Sequence, residues 1–235
     1  MKKSLTFSLF LIIALATGTQ SQQSKYQKEE IRKSNIKRVT SLAGVSTKQK
    51  FVSDYDQRGN LVRRVGYGPD GSTRVQESYT YDDKDNLVEV VVNGKKRTYS
   101  YKFNDNGQVL EARQFDAEGK LKERTEFRHD GSGNVIEESR YAADGRQLDR
   151  QLHSYQNNVL SQTLVYGPDT KLGSKITYEF AGDRLARTST YDANGNLLRR
   201  NVYKRNQKGL VIEDLQINEK DEVVDRTTLE YEFYL

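Results

Sequence analysis

Residues 55–61 read Tyr-Asp-Gln-Arg-Gly-Asn-Leu, and residues 191–197 read Tyr-Asp-Ala-Asn-Gly-Asn-Leu. Weaker copies of this phrase return about every 11 to 14 residues from Phe51 to the C-terminus, and a self-similar period this short is typical of repeat proteins. A unit of one strand and one tight turn cannot bury a core by itself, so neighbouring copies must supply the burial. The sequence therefore says more about architecture than about chemistry.

The phrase has the residues of a tight turn. Asp56 can cap the turn with its side chain, and Gly59 can take the positive φ that a Cβ resists. The pattern recurs at 116–119 and 192–195, and Asn93-Gly94 is the signal for a two-residue hairpin. Short runs rich in Val, Leu, Tyr and Thr lie between such sites, which predicts about fifteen turns and about sixteen strands of about six to eight residues.

A second regularity predicts how the strands pair. An aromatic residue stands directly before a turn and an aliphatic residue directly after it, so the two are expected to oppose each other across an antiparallel hairpin. These pairs are Tyr55/Leu61, Tyr81/Leu87, Phe103/Val109, Phe115/Leu121 and Tyr191/Leu197. Extending the register inward from Phe115/Leu121 predicts Arg113 opposite Glu123 and Glu111 opposite Thr125.

Within a strand, an aliphatic residue is often followed six positions later by an aromatic one, as in Leu61 and Tyr67, and an even spacing predicts one shared face. The positions between them are often polar, so the predicted sheet is apolar along two edges and charged in its middle. This pattern favours an all-β antiparallel meander of about sixteen short strands that curls or spirals, over a sandwich with a continuous apolar core.

The N-terminus has the features of an export signal. Lys2 and Lys3 precede an apolar run over 5–16 that ends in Ala-Leu-Ala, and polar residues follow. We predict a signal peptide over 1–16, with cleavage as late as Ser21 as the alternative, then a polar linker over 17–35 and a repeat domain over 36–235. The protein is therefore expected in the periplasm, at the cell surface or outside the cell. The apolar run is too short for a spanning helix, so we expect no membrane span in the mature chain.

Composition narrows the classes of function. The chain has no cysteine, which excludes disulfides, thiolate metal sites and cysteine nucleophiles. Its formal net charge of +5 comes from Lys/Arg and Asp/Glu that alternate throughout, so no nucleic-acid partner is expected. The alternating Leu229, Tyr231, Phe233 and Leu235 resemble a terminal strand of an outer-membrane barrel. Charged residues that share a face with Leu and Tyr in other strands, Arg63, Glu111 and Arg199, make contact with lipid costly.

The repeated phrase resembles the YD-repeat, or Rhs-type repeat, family of bacterial surface and secreted proteins. The resemblance covers about residues 51–235 and is strongest at 55–61, 81–87 and 191–197, with Asp85 in place of the glycine in the second. It implies β-strand ribbons that spiral into shells or pack as surface modules, some of them in contact with carbohydrate or protein. The chain is similar to stand-alone members of that family, because it shows neither a proline-rich self-cleavage segment nor a toxin tail after the repeats.

Few residues invite a chemical role. His129 and His153 are the only histidines and lie in or near predicted turns, so exposed structural roles are expected. Ser132 lies between two glycines, but the strand-to-helix elbow of a nucleophile is not predicted, so an enlarged turn is expected. Residues 104–107, Asn-Asp-Asn-Gly, lack the distant Glu of a calcium loop. We therefore predict no catalytic, cofactor or metal residues and leave ligand-binding residues unassigned.

These observations predict an exported, non-catalytic β-repeat protein that acts as a surface or periplasmic binding or scaffold module, without a cofactor. The expected partner is a glycan or a protein at the cell envelope. Fifteen tyrosines could stack on sugar rings, although most are explained as strand-end packing and tryptophan is absent. The alternative is a glycan-processing hydrolase that uses paired carboxylates.

Overall fold

The computed structural model describes residues 22–44 and 49–235, and the predicted signal peptide lies outside this part of the chain. These residues form one helix, α1 (Gln22–Lys33), and sixteen strands. The strands are β1 (Ile36–Ala43), β2 (Gln49–Tyr55), β3 (Leu61–Tyr67), β4 (Thr73–Tyr81), β5 (Leu87–Val92), β6 (Lys95–Phe103), β7 (Val109–Phe115), β8 (Leu121–His129), β9 (Val135–Ala142), β10 (Gln147–Gln156), β11 (Val159–Tyr166), β12 (Leu172–Ala181), β13 (Arg184–Asp192), β14 (Leu197–Arg205), β15 (Val211–Ile217) and β16 (Val223–Phe233).

The strands follow one another in an antiparallel meander that closes into a barrel. Each strand pairs with its neighbours in sequence, and β1 also pairs with β16, with Val39 opposite Tyr231 and Ser41 opposite Leu229. The prediction of an antiparallel meander of about sixteen strands is confirmed. The expected curled or spiralled sheet is wrong, because the first and last strands meet and leave no unpaired edge among the described strands.

The turns have the predicted chemistry. Asp56 Oδ1 accepts hydrogen bonds from the backbone N–H groups of Arg58 and Asn60, and Gly59 has φ +83°. The Asn60 side chain donates to the other Asp56 oxygen at 3.0 Å. Asp82 and Asn86, Asp130 and Asn134, and Asp192 and Asn196 repeat this pair of contacts. In the repeated phrase, the Gly thus supplies the residue with a left-handed backbone conformation, and the Asn side chain holds the Asp that caps the turn.

The predicted aromatic–aliphatic pairs oppose each other, but a bulge follows each of them. Phe115 lies opposite Leu121, and the register then shifts by one residue. Glu123 therefore faces Gln114 and Thr125 faces Ala112, so the predicted pairs Arg113 with Glu123 and Glu111 with Thr125 are wrong. Turn chemistry predicts the pair at the turn, but an extra residue beyond it changes the partner of every later position.

The hairpin of Tyr55 and Leu61 has an equivalent bulge, and it reverses the face of the sheet on which the following residues lie. Leu61 belongs to the buried apolar cluster inside the barrel. Beyond the bulge, Gly66 lies against the ring of Phe51, and the next residue, Tyr67, pairs its ring with the Lys50 ammonium at 5.9 Å. Since successive side chains alternate, Tyr67 faces outward. The prediction that residues six positions apart share a face is therefore wrong for Leu61 and Tyr67.

Tyrosine hydroxyls join several hairpins to the one before them. Tyr81 donates to the backbone carbonyl of Leu61 at 3.0 Å, and Tyr101 donates to that of Leu87 at 2.8 Å. Tyr155 makes the equivalent bond to Val135 at 2.8 Å. The accepting residue is in each case the first after the preceding hairpin's turn. Tyr81, the tyrosine of the copy of the phrase at 81–87, is thus both a packing residue and a cross-hairpin hydrogen-bond donor.

Helix α1 lies across one end of the barrel, in a segment that the sequence predicted as a polar linker. Ile31 is buried in the apolar cluster, which also contains residues of β1, β2 to β5 and β14 to β16. Lys28 pairs with Asp85 at 3.0 Å, and Glu30 pairs with Arg205 at 2.7 Å. These contacts place α1 on the turns that follow β4 and β14, and the backbone oxygen of Lys28 also lies close to Gly59 in the turn that follows β2. Sequence reasoning missed the helix because only Ile31 among its described side chains is buried.

Candidate functional site

Seven polar residues lie on the inner face of seven consecutive strands. They are Glu138 of β9, His153 of β10, Thr163 of β11, Tyr178 of β12, Thr188 of β13, Tyr203 of β14 and Asp214 of β15. We call this set the polar belt. Tyr203 belongs to the cluster that also contains Val90 of β5, on a distant strand, so this face points into the barrel. The polar belt is the largest group of interacting polar side chains that we identify there.

One half of the polar belt is a chain of short contacts. His153 Nε2 lies 3.4 Å from Glu138 Oε1, and His153 Nδ1 lies 2.9 Å from the Thr163 hydroxyl. The Thr163 hydroxyl in turn lies 3.3 Å from that of Tyr178. One consistent order of donors has Tyr178 donate to Thr163 and Thr163 donate to Nδ1, which leaves the Nε2–H directed at Glu138.

Glu138 is the most deeply buried charged residue of the described chain, with 1% of its surface exposed. Within the described residues, neither of its carboxylate oxygens has a hydrogen-bond partner. A buried carboxylate in this condition is costly unless something neutralises it or donates to it. Among the residues whose burial is described, 27–44 and 49–235, three carboxylates are buried, Glu138, Asp214 and Glu111, but no Lys or Arg is.

The other end of the polar belt carries Asp214. Asn201 donates to Asp214 Oδ1 at 2.9 Å, and Tyr203 lies directly opposite Asp214 in the strand register. Burial raises the pKa of Asp214 from 3.8 to about 6, and the charge of Asp225 acts in the same direction. The Tyr203 hydroxyl also contacts that of Thr188 at 3.3 Å. Burial and Asp214 together raise the pKa of Tyr203, so this tyrosine stays neutral.

The remaining strands line the interior with a different chemistry. Their buried inner residues are mainly apolar and include Val39, Tyr79, Val90, Phe127 and Leu229. The exceptions are three small hydroxyl residues, Ser41, Ser53 and Thr125, and an ion pair in which Arg64 lies 3.6 Å from Glu77 and stacks on the ring of Phe51 at 4.5 Å. One side of the interior therefore carries buried carboxylates, and the other side is mainly apolar and aromatic. This arrangement suits a ligand with both polar groups and an apolar face.

Charged side chains also lie on the other face of the strands, where an acid is held between two cations. Glu137 pairs with Arg128 at 3.0 Å and with Arg150 at 2.7 Å, and these cations keep the pKa of Glu137 below its usual value. The same arrangement recurs around the barrel, with Asp54 between Arg38 and Arg63 and with Glu213 between Lys204 and Arg226. Because Glu137 precedes the inward Glu138, this face is the outer wall.

The residues singled out by sequence reasoning are not brought together. His153 is buried within a strand, so its predicted exposed position near a turn is wrong. His129 ends β8 and is half-buried, and burial lowers its pKa. Ser132 lies in a turn capped by Asp130 that has the same length and contacts as the turn at 56–60, so the predicted enlarged turn is wrong. Asn104 caps the turn at 104–108 in the same way. Across the described ranges, no group of His, Asp and Glu could hold a metal ion.

The polar belt has a sequence signal that could have been found. His153, Tyr178 and Tyr203 are each 25 residues apart, and Glu138, Thr163 and Thr188 follow the same spacing on the alternate strands. A two-strand repeat of this length returns to the same level of the barrel on every second strand. A search for polar residues at one repeat position would have located the polar belt, whereas a search for catalytic motifs did not.

The only helix in the described residues, α1, has twelve residues and is mostly polar, so no helical segment there could cross a membrane.

Solved structures with a similar fold include two porin-like proteins. One, from Bacteroides uniformis ATCC 8492, matches with a TM-score of 0.59 at 10% sequence identity, over 84% of this chain and 98% of that chain. The other, from Bacteroides vulgatus ATCC 8482, has a TM-score of 0.50 at 11% identity, with the same coverage. At these identities the likeness concerns the fold alone. No protein-family model matches the chain, and no curated protein matches it.

The resemblance to the YD-repeat or Rhs-type repeat family is therefore wrong. The similar structures are porin-like barrels, and β1 pairs with β16 where a spiral would leave both strands free. The physical reason lies in what the repeated phrase encodes. Its Asp, Gly and Asn specify a turn, and its Tyr pairs with the Leu across that turn, and a closed barrel uses these local features as readily as a spiral does.

Proposed function

We propose that this protein is an exported, non-catalytic binding module of the cell envelope that holds a glycan inside its barrel. The observation that carries this proposal is the polar belt, which places two buried carboxylates, Glu138 and Asp214, on one side of an interior whose other side is apolar and aromatic. A sugar ring has hydroxyl groups that can hydrogen-bond to a polar wall and an apolar face that can pack on aromatic rings.

The charged outer wall is evidence for a barrel whose outside is surrounded by water. Glu137, Asp54 and Glu213 each lie between two cations on that wall, at separate positions around the barrel. Charged groups that face lipid are costly in proportion to their depth, whereas the same ion pairs are well solvated in water. The proposal therefore places the ligand inside and the solvent outside. The export signal predicted at 1–16 is consistent with a periplasmic, surface or extracellular location.

The closed sheet also changes how a protein partner could bind. Strand addition needs an unpaired edge, and β1 and β16 are paired with each other along Arg38–Ala43. A protein partner would instead have to contact turns or the outer wall, whose charged side chains already pair with one another. These considerations favour the glycan over the protein as the ligand.

A non-catalytic role is supported by the geometry of the polar belt. The contacts from Glu138 through His153 to Thr163 have the order of an acid, a base and a hydroxyl nucleophile. However, Thr163 is 2% exposed and its oxygen also contacts Tyr178, so a substrate carbonyl would have no approach to it. We therefore assign this chain of contacts to the structure of the interior.

One observation favours the alternative of a glycan-processing hydrolase. Asp214 has its pKa raised to about 6, and Asp225 lies on the next strand and contributes to that rise. Two carboxyl groups in unlike environments are the pair that acid-catalysed glycoside hydrolysis requires. In this alternative, protonated Asp214 would be the acid and Asp225 the base or nucleophile.

Calorimetric titration with neutral, acidic and amino oligosaccharides, paired with a reducing-end assay, tests both functions. We expect heat of binding without release of reducing ends. Turnover that disappears in Asp214→Asn would establish the hydrolase instead. If no oligosaccharide in the set binds, the glycan-binding proposal is refuted.

A further inference from the structure

We propose that Lys95 and Arg97 bind the carboxylate of an acidic sugar at the end of the barrel opposite α1. This inference rests on the proposed function, because it names the class of glycan that the barrel recognises. It starts from residues 95–97, Lys-Lys-Arg, the only run of three consecutive basic residues in the chain. Successive side chains of a strand point to opposite faces, so β6 divides this run between the two faces of the sheet.

Lys95 and Arg97 lie on the inner face. Arg97 is directly opposite Val90, a member of the buried cluster inside the barrel, and residues directly opposite each other share a face. Lys95, two residues earlier, has the same orientation. Lys96 points outward and pairs with Glu89 at 2.5 Å. The run therefore puts two cations inside the barrel and one on the outer wall.

This part of the inner face is open to water. Helix α1 lies on turns that follow even-numbered strands, so the turn after β5 is at the other end of the antiparallel meander. Lys95 and Arg97 are exposed although they face inward. Glu123, on the inner face of β8, keeps 33% of its side chain exposed. A ligand can therefore reach the two cations from this end without entering the closely packed interior around Glu138.

The two cations have no acidic partner within the described ranges. The first strand acids on either side of them on the inner face are Glu77 of β4 and Glu123 of β8. Each is already paired with an arginine, Glu77 with Arg64 and Glu123 with Arg140, both at 3.6 Å. Residues two apart on a strand are about 7 Å apart, so both long basic side chains can donate to one carboxylate.

The residues beside the cations suit a sugar ring. Val92 and Tyr99 flank them on the inner face and are only partly buried against the apolar cluster, so each leaves apolar surface for the ring. The Tyr99 hydroxyl donates to Gln114 at 3.2 Å. The hairpin itself is fixed, because Asn93 Oδ1 accepts a hydrogen bond from the Gln76 N–H at 2.8 Å. The site is thus held in place before a ligand binds, which lowers the entropy cost of binding.

Calorimetric titration with trigalacturonic acid and with its methyl ester tests this inference, because esterification removes the negative charges and keeps the sugar rings. At about pH 7 the free carboxylates are ionised. We expect the acid to bind about 10- to 100-fold more tightly than the ester, as charged hydrogen bonds imply, and added salt should weaken this preference. Lys95→Gln should lower the preference, and Lys95→Gln combined with Arg97→Gln should remove it. Lys96→Gln makes the same change on the adjacent outward residue and should retain it.

The fold should tolerate these variants, since each replaces an exposed side chain. The preference of the unaltered protein for the acid is a second readout that needs no variant. Equal affinity for acid and ester would overturn the inference and leave glycan binding intact. Binding of neither trisaccharide would also overturn it, whereas the glycan-binding proposal fails only if the neutral and amino oligosaccharides do not bind either. A preference that survives in the double variant, or acetate bound as tightly as the acid, would overturn it too.

Discussion

The glycine of the repeated phrase allows a matched test of how α1 is held. Gly59 and Gly195 occupy the same position of two nearly identical turns, with φ of +83° and +86°. A Cβ on Gly195 would meet no atom within 4 Å, whereas a Cβ on Gly59 would lie 2.6 Å from the backbone oxygen of Lys28 in α1. The two alanine variants therefore share the backbone cost and differ only in the contact with the helix.

The expected losses follow from these two terms. An alanine in the left-handed region costs about 1 to 2 kcal/mol, part of which is offset because the unfolded chain becomes less flexible. Gly195→Ala should therefore lower the free energy of unfolding by about 1 kcal/mol. In Gly59→Ala the helix must also move away from the turn, and loss of the buried Ile31 side chain adds about 1.5 to 3 kcal/mol.

Urea unfolding gives the two free energies, and limited trypsin digestion reports whether Lys28 and Arg32 in α1 become accessible. We expect Gly59→Ala to be the less stable variant by about 2 kcal/mol and α1 to be cleaved faster in it. Equal losses of stability in both variants, with α1 equally protected, would refute the docking of the helix on this turn.

Three further outcomes follow from the contacts described above. Asp214→Asn should raise the free energy of unfolding at pH 7 by up to about 3 kcal/mol, since the pKa is raised from 3.8 to about 6 in the folded state. The folded protein binds that proton more tightly, so the gain should grow as pH rises from about 4 to 6 and vanish in urea titrations below pH 4. Tyr81→Phe should lower stability by about 1 to 2 kcal/mol in thermal or urea unfolding, because the Leu61 carbonyl loses its donor; unchanged stability would argue against the cross-hairpin bond. Asp85 has a positive φ of 65°, so Asp85→Gly relieves backbone strain, but it also removes the ion-pair partner of Lys28. Hydrogen exchange in α1 should therefore become faster, while the global free energy of unfolding changes by less than about 1 kcal/mol.

Much of the fold could be predicted from local chemistry. The turn at Asp56–Asn60 and the pairing of Tyr55 with Leu61 follow from residues that are adjacent in sequence, and the structure has both. The bulge beyond each pair could not be predicted, because the phrase does not show an unpaired residue such as Val62. Closure of the barrel was equally hidden, since it depends on the curvature accumulated over all sixteen strands rather than on any one of them.

The candidate site was predicted much less well, for a related reason. Each bulge exchanges the inner and outer faces, so a residue's side of the sheet cannot be read by alternation from the turn. Glu138 and Glu137 are neighbours in sequence with opposite environments, one buried without a hydrogen-bond donor in the described chain and one held by two arginines. Composition counts both as surface acids. Only the register distinguishes them, and the register depends on the bulges.

The β1–β16 seam has a consequence for how the polypeptide acquires its shape. Fifteen of the sixteen ladders in the described chain join consecutive strands, but the seam brings Val39 to Tyr231, across most of the sequence. Local hairpins can therefore assemble first, and the last ladder forms only when an incomplete, already bent sheet brings its two margins together. Until then both margins are open to strands of other molecules. Dilution should accordingly favour monomeric refolding, and crowding nascent chains together should favour mispaired aggregates.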